Sequence, residues 1–296
     1  MGRWIEMYGE TLGKIRKSKN YSQQTLAAGR FTQAAYSHFE KNKSDMNATN
    51  FVFLLDQLQL SLDELLYIHN DYALSPSEQL INLFYKIPYN KREDLEILLG
   101  QIELFLKENH HIYINELKTV CEALIMLTID KDLIGAREKV RFIWERISKY
   151  DQYYLVDIKL LNAILFLFDF ETMSFIAENL IQQLTRYKDL GEATRLQNTI
   201  ILNYSILCIR NNEIQLAIHY LQPLLADKKQ TLSYVSFAVA LNRIAICLTY
   251  QNAENVAMHL KRRDMLLFAY NDDLLGKRLK VEFNTYRCNS YQIDLD

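Results

Sequence analysis

Proline and glycine are scarce in this chain: its 296 residues include only 3 and 8 of them. Few turn-formers among plentiful Leu, Ile, Ala, Glu and Lys predict an all-α protein. Long hydrophobic runs are also missing. The most apolar stretch, Leu160 to Phe168, is interrupted by Asn162 and falls far short of the roughly 20 residues a membrane span needs. The N-terminal text MGRWIEMYGE has no apolar core of a secretory leader. Four cysteines, Cys121, Cys208, Cys247 and Cys288, stand too far apart for a zinc site or a secreted disulfide framework, so buried, reduced thiols are expected. A glycine-rich phosphate loop, an HExxH pair and a Ser/His/Asp signature are all absent. His110-His111 has no carboxylate or Cys at ligand spacing, and Asn271-Asp272-Asp273 lacks the ligand spacing of a calcium loop. Asn47-Ala48-Thr49 matches a glycosylation acceptor only by chance. The expectation is a soluble cytoplasmic protein that is not an enzyme, with no catalytic residues, metal or cofactor and no contact with a membrane.

A formal net charge of −2 argues against a general nucleic-acid coat. The distribution is more informative. Residues 14–43 carry Lys14, Arg16, Lys17, Lys19, Arg30, Lys41 and Lys43 against Glu40 alone. A basic island on a slightly acidic chain is either a local electrostatic footprint or a solvated helical surface.

The text divides near residue 70. The stretch His69 to Pro76 carries turn and cap residues, with Pro76 suited to a first helical position. We place a domain over 1–70 and a second over 71–296. Before the junction, helices are expected near 7–18, 22–28, 32–40, 47–58 and 62–68. Ser22, Thr32, Asn47 and Ser61 are N-caps, and Ser61-Leu62-Asp63-Glu64 reads as a capping box. Leu12, Ile15, Leu26, Tyr36, Phe39, Phe51, Leu54, Leu55, Leu58, Leu62 and Leu65 recur at helical spacing and form a candidate core. After the junction, helices are expected over 77–86 and 91–108. Pairs follow over 112–128 with 133–149, 153–168 with 171–187, 191–210 with 213–226, and 231–250 with 253–270, and a last helix starts near 274. The leading helices repeat about every 40 residues, and the second helices align Ala136, Ala177, Ala217 and Ala257. A fixed period of helix pairs is the signature of a tetratricopeptide-like solenoid, whose leading helices line a groove.

Ser22 to Glu40 reads as two short helices across a tight turn. In the second, Tyr36 and Phe39 share an inward face. Thr32, Gln33, Ala34, Ser37, His38 and Lys41 fall outside it, a small, polar and cationic face suited to a major groove, where Gln pairs with adenine and a methyl packs on thymine. Gln23 opens the preceding helix, where a phosphate contact sets register. Lys41 and Lys43, with Lys14 and Lys17, add charge-driven affinity. Protein contact is the alternative use of such a domain.

The phrases Leu12-x-x-Ile15-Arg16, Ser22-Gln23-x-x-Leu26-Ala27, Ser37-His38-Phe39-Glu40 and Leu62-Asp63-Glu64-Leu65 resemble the phage-repressor type of helix-turn-helix. Ser37-His38-Phe39-Glu40-Lys41-Asn42 is similar to the recognition-helix signature of the Rgg/MutR transcription regulators, and length and repeats match that family over essentially the whole chain. The resemblance implies a structural pair of Arg16 with Glu40, an imported peptide pheromone bound in the repeat groove, and a role in quorum sensing. His38 stands where that family commonly has Arg, and Asn42 where it commonly has Gly; both departures bear on the operator sequence.

One coincidence bears on the groove. Asn162, Asn203, Asn242 and Asn284 align at one position of successive leading helices. Asn is a poor mid-helix residue unless satisfied. A row of amides can grip an extended peptide by its main chain. Asn can equally bridge adjacent helices within the solenoid, or the alignment can be accidental. The resemblance supports peptide contact, since Asn residues on leading helices are among that family's peptide contacts. Candidate neighbours are Arg195, Thr199, Ile206, Arg210, Val235, Ala238, Ala245 and Thr249, with Arg195 and Arg210 meeting an acidic group or serving as surface charge. The leading expectation is a homodimeric, peptide-controlled regulator that binds double-stranded operator DNA and a short hydrophobic peptide. A helical-repeat interaction scaffold, or a dimeric regulator without ligand, is the alternative.

Overall fold

The computed structural model describes residues 8–87, 92–127, 131–226 and 232–291. Every ordered element among them is helical. Two compact units divide the chain, Met1–Asn115 and Glu116–Asp296. The junction expected near residue 70 falls inside the first unit.

The first unit opens with α1 (Gly9–Ser18), α2 (Gln23–Ala27), α3 (Gln33–Glu40), α4 (Ala48–Gln57) and α5 (Leu62–His69). Their starts follow from short polar caps. The side-chain oxygens of Ser22, Thr32, Asn47 and Ser61 accept from the N–H of Thr25, Ala35, Asn50 and Glu64 at 2.9–3.1 Å. A reciprocal capping box closes at Ser75 and Glu78, where α6 (Pro76–Lys86) begins with Pro76 in its first turn. The Ser61 side chain supplies the capping bond alone. Leu12, Leu26, Tyr36, Phe39, Leu54, Leu55, Leu58, Leu60 and Leu65 form one core, with Ile15, Phe51 and Ile68 against it. Leu62, expected in that core, is half exposed, because it opens α5 directly after its cap, and Leu60 is buried instead. α7 (Arg92–Glu108) follows α6.

The paired helices are α8 (Ile112–Ile125) with α9 (Leu133–Ile147), α10 (Leu155–Ile164) with α11 (Phe170–Leu184), α12 (Gly191–Arg210) with α13 (Ile214–Ala226), and α14 (Tyr234–Thr249) with α15 (Val256–Ala269), closed by α16 (Asp273–Tyr286). The outermost residues expected at 7, 91, 128 and 231 lie outside the described residues. α10 ends earlier than expected, tightening into a 3-10 turn over Leu165–Leu167 before Asp169 caps α11. Within the second unit α10, α12, α14 and α16 pack successively side by side, while α11, α13 and α15 pack between and behind them. Ala136, Ala177 and Ala217 are fully buried in the second helices. The fourth repeat breaks the pattern: Val256 is buried and Ala257 is exposed, a slip of one residue. No described helix is long and apolar enough to cross a membrane.

Candidate functional sites

In the first unit, α2 and α3 are joined through Ala28 (φ 44°) and Gly29 (φ 74°), the left-handed pair that turns the chain sharply. Tyr36 and Phe39 are buried, whereas Gln33, Ala34, His38, Lys41 and Lys43 are exposed and Ser37 is half-buried. Thr32 is exposed, with its hydroxyl engaged at the start of α3. The outward residues therefore form one free face of a short capped helix.

Behind that face lies a three-way lock. Arg16 donates to Glu40 at two points, Nε to Oε1 at 2.6 Å and Nη2 to Oε2 at 3.0 Å, and Nη1 donates to the Tyr21 carbonyl at 2.6 Å. The side chains of Arg16 and Glu40 are 11% and 8% exposed. Gln23 Nε2 donates to Glu40 Oε2 at 2.8 Å, tying α2 to the end of α3. Burial raises the Glu40 carboxyl, but the hydrogen bonds from Arg16 and Gln23 outweigh it and hold the group below the usual carboxylate range. Burial pushes the neighbouring Tyr36 phenol well up, and the Glu40 charge pushes it further. The pairing of Arg16 with Glu40 implied by the resemblance is thus present. Gln23, expected at a phosphate, already spends one amide proton on Glu40.

Two features of this unit escaped the sequence reading. A Cβ at Gly9 would sit 1.9 Å from the Phe39 carbonyl oxygen, and one at Gly13 would sit 3.3 Å from Glu40 Cδ. Gly9 and Gly13, one turn apart on α1, are what let it approach α3. Asn42 takes φ 56°, and its Oδ1 accepts from Glu10 N–H at 3.3 Å near the start of α1. The basic island is also thinner than its residue count. Lys14 pairs with Glu10, Lys19 donates to the Leu58 carbonyl, and Arg30 lies over the Phe53 ring, leaving Lys17, Lys41 and Lys43 standing exposed.

In the second unit Asn203 is exposed and Asn162 half-buried, and Asn203 Nδ2 donates to Asn162 Oδ1 at 3.2 Å. Asn242 does not join them. It is fully buried, with Oδ1 accepting from Arg263 Nη1 at 2.5 Å and Nδ2 donating to Glu282 Oε1 at 3.2 Å. The inter-helix bridge is therefore the correct reading of Asn242, and its expected place in the groove is corrected. Ala238 and Ala245 are likewise fully buried, Ile206 is 9% exposed and Thr249 is 1% exposed, so these four line the packing. Arg195, Thr199, Arg210 and Val235 are exposed. Arg210 packs over Tyr286 and donates to its hydroxyl at 3.0 Å. Asn284 is exposed on α16.

The cause is spacing: α12 and α14 correspond at a step of 40 residues, whereas Asn203 and Asn242 are 39 apart. Beyond the first turn of α12 the exposed positions are Arg195, Thr199, Asn203 and Arg210; the exposed or half-buried positions that match them are Val235, Val239 and Arg243 on α14 and Tyr250 just after it. Each lies 40 residues after its counterpart. Arg243, not Asn242, is the partner of Asn203. Its Nη1 donates to the Leu202 carbonyl, and its Nε and Nη2 donate to Glu282 Oε1 and Oε2 at 3.1 and 3.2 Å. The continuous row is Asn162, Asn203, Arg243 and Glu282, one residue from each of four adjacent leading helices. Among the described residues no group of three or more His, Cys, Asp or Glu is placed to hold a metal ion.

No family model matches the chain. Solved structures do. The SHP pheromone receptor Rgg2 of Streptococcus dysgalactiae superposes with a TM-score of 0.73 at 17% identity, covering 94% of this chain and 99% of that one. PlcR of Bacillus thuringiensis, solved with the peptide PapR7 and DNA, gives 0.68 at 13% identity over 93% and 99%. ComR of S. thermophilus, solved with DNA and its signalling peptide ComS, gives 0.62 at 15% identity over 94% and 99%. The chain therefore has the fold of Rgg2, PlcR and ComR, a helix-turn-helix followed by tetratricopeptide-like helical repeats.

Proposed function

We propose that this chain is a sequence-specific DNA-binding transcription regulator controlled by a short peptide, and that it acts in the cytoplasm as a homodimer. Residues 1–70 read DNA, and residues 71–296 bind the peptide and dimerise. The observation that carries the reading is the free face of α3, held rigid by Arg16, Glu40 and Gln23 behind it. A short helix offered on a fixed mount is what major-groove reading requires, since base contacts demand register. Gln33 and His38 supply hydrogen bonds to base edges, Ala34 supplies a methyl contact, and Ser37 and Thr32 lie beside them. Lys41 and Lys43 neutralise phosphates. Gln23 holds Glu40 and has a second amide proton for a phosphate.

The fold neighbours support the coupling of two ligands, because PlcR and ComR were each solved with both DNA and a peptide. In this chain the peptide lies along the leading helices over Asn162 and Asn203, with Arg195, Thr199, Arg210 and Val235 flanking it. A homodimer carries two α3 helices, so its site is a near-palindrome. Binding-site selection from random duplexes tests the DNA half: we expect enrichment of a two-fold symmetric sequence, and its loss in Gln33→Ala/His38→Ala. Calorimetry with short hydrophobic peptides tests the other half, with Asn203→Ala expected to weaken binding. Absence of any enriched sequence would leave the interaction scaffold as the better reading.

A further inference from the structure

We propose that Arg243 is a carboxylate-binding position of the groove, occupied in this structure by the chain's own Glu282. Three observations lead there. Arg243 occupies the repeat position of the exposed Asn203 and so belongs to the same row, half-buried where Asn203 is exposed. Its partner is held at two points but is not sealed in: the Arg243 side chain is 12% exposed and that of Glu282 20%. The mount behind Arg243 depends only in part on Glu282, whose Oε1 also accepts from Asn242 Nδ2 at 3.2 Å. Asn242 is fixed from the other side by Arg263, itself 3% exposed, and Arg243 also holds the Leu202 carbonyl.

A planar guanidinium presents a fork that matches any carboxylate, whatever chain carries it. Replacing one carboxylate by another leaves the Arg243 charge balanced, which removing Glu282 without replacement does not. The displaced Glu282 turns to solvent from a position already one-fifth exposed. α16 need not leave, because Asp272 accepts from the Tyr234 hydroxyl at its start and the Tyr286 carbonyl accepts from the Tyr250 hydroxyl at its end. The exchange is therefore a side-chain event on a fixed helix. It selects peptides with a carboxylate placed one repeat beyond the amides of Asn162 and Asn203. This inference rests on the peptide reading above and adds the chemistry of one end of the ligand.

The test uses fluorescein-labelled pools of short peptides built from Leu, Ile, Val, Phe, Trp and Gly, each made as the free acid and as the C-terminal amide. A third pool is amidated but carries one internal Asp. Fluorescence polarisation is read on the full chain, on Glu282→Gln and on Arg243→Gln, each first checked by circular dichroism. The native chain should prefer the free acid to the amide by about tenfold, the scale of one charge-assisted hydrogen bond. Glu282→Gln should bind the acid pool tighter by a similar factor and leave the amide pool unchanged, and Arg243→Gln should erase the preference. If Glu282→Gln unfolds, Glu282→Asp, which draws the carboxylate back from Arg243, should move binding in the same direction. A gain confined to the Asp-bearing amide pool assigns the position to an acidic side chain instead of the terminus. Equal binding of all pools by the native chain and Glu282→Gln overturns the inference and leaves the peptide reading standing. No binding of any pool overturns both.

Discussion

Arg16 with Glu40 in the helix-turn-helix and Arg243 with Glu282 in the repeats are both two-point guanidinium–carboxylate pairs, at 2.6 and 3.0 Å and at 3.1 and 3.2 Å. Their surroundings differ. Each carboxylate has a third partner, Gln23 for Glu40 and Asn242 for Glu282, but the Glu40 side chain is 8% exposed whereas that of Glu282 is 20% exposed and stands at the end of an open polar row. The same chemistry thus serves as a mount in one region and, on our proposal, as an exchangeable contact in the other. What decides between the two roles is whether a competing carboxylate can reach the guanidinium.

Breaking the mount should have the largest effect. Glu40→Ala leaves the Arg16 charge buried and unpaired, a loss of about 3–5 kcal/mol. Chemical unfolding of the full chain should show the helix-turn-helix transition moving to much lower denaturant. Glu282→Gln should cost less by the same measurement, about 1–3 kcal/mol, since the Glu282 carboxylate is more open to water and the amide oxygen can still accept from Asn242. Equal losses at the two sites would remove the distinction.

The DNA-reading face comes next. Gln33→Ala and His38→Ala should each weaken binding to a selected duplex by about 1–3 kcal/mol, read by fluorescence anisotropy, without changing the melting temperature. Lys41→Ala should weaken all duplexes alike and lower the slope of log affinity against log salt by about 1.

Acid gives a smaller and more specific effect. The folded Glu40 carboxyl lies below the value of about 4.5 that it has when free. Its contribution is therefore complete above that pH and is lost as pH falls through the lowered folded value. The stability gap between the native chain and Glu40→Gln should be constant above pH 4.5 and shrink below it. A gap that widened on acidification would contradict the assigned direction.

Much of this comparison was legible in the text of the chain. Ser22, Thr32, Asn47 and Ser61 cap the helices they precede, because a short polar side chain there has a backbone donor within reach whatever the tertiary context. The inward Tyr36 and Phe39 followed from helical spacing alone. The groove was less legible. Asn242 matched the row by residue type, but type does not report rotation about the helix axis, and one residue of slip turns a side chain by about 100°. Arg263 takes Asn242 inward, and in the next helix Val256 in place of Ala257 is a separate offset of one residue in the opposite direction. Gly9 was missed for a different reason. Its role is a close backbone approach between α1 and α3, which one isolated glycine does not announce.

The claim that one chain couples a DNA-reading helix to a peptide groove is tested most directly by reciprocity. The affinity for a selected duplex would be measured by anisotropy with and without a saturating groove peptide, and the affinity for that peptide with and without the duplex. We predict that each ligand changes the other's affinity by the same factor, about 5- to 150-fold, as linkage requires of an allosteric pair. Affinities that do not respond to the second ligand, in either order, would contradict the account.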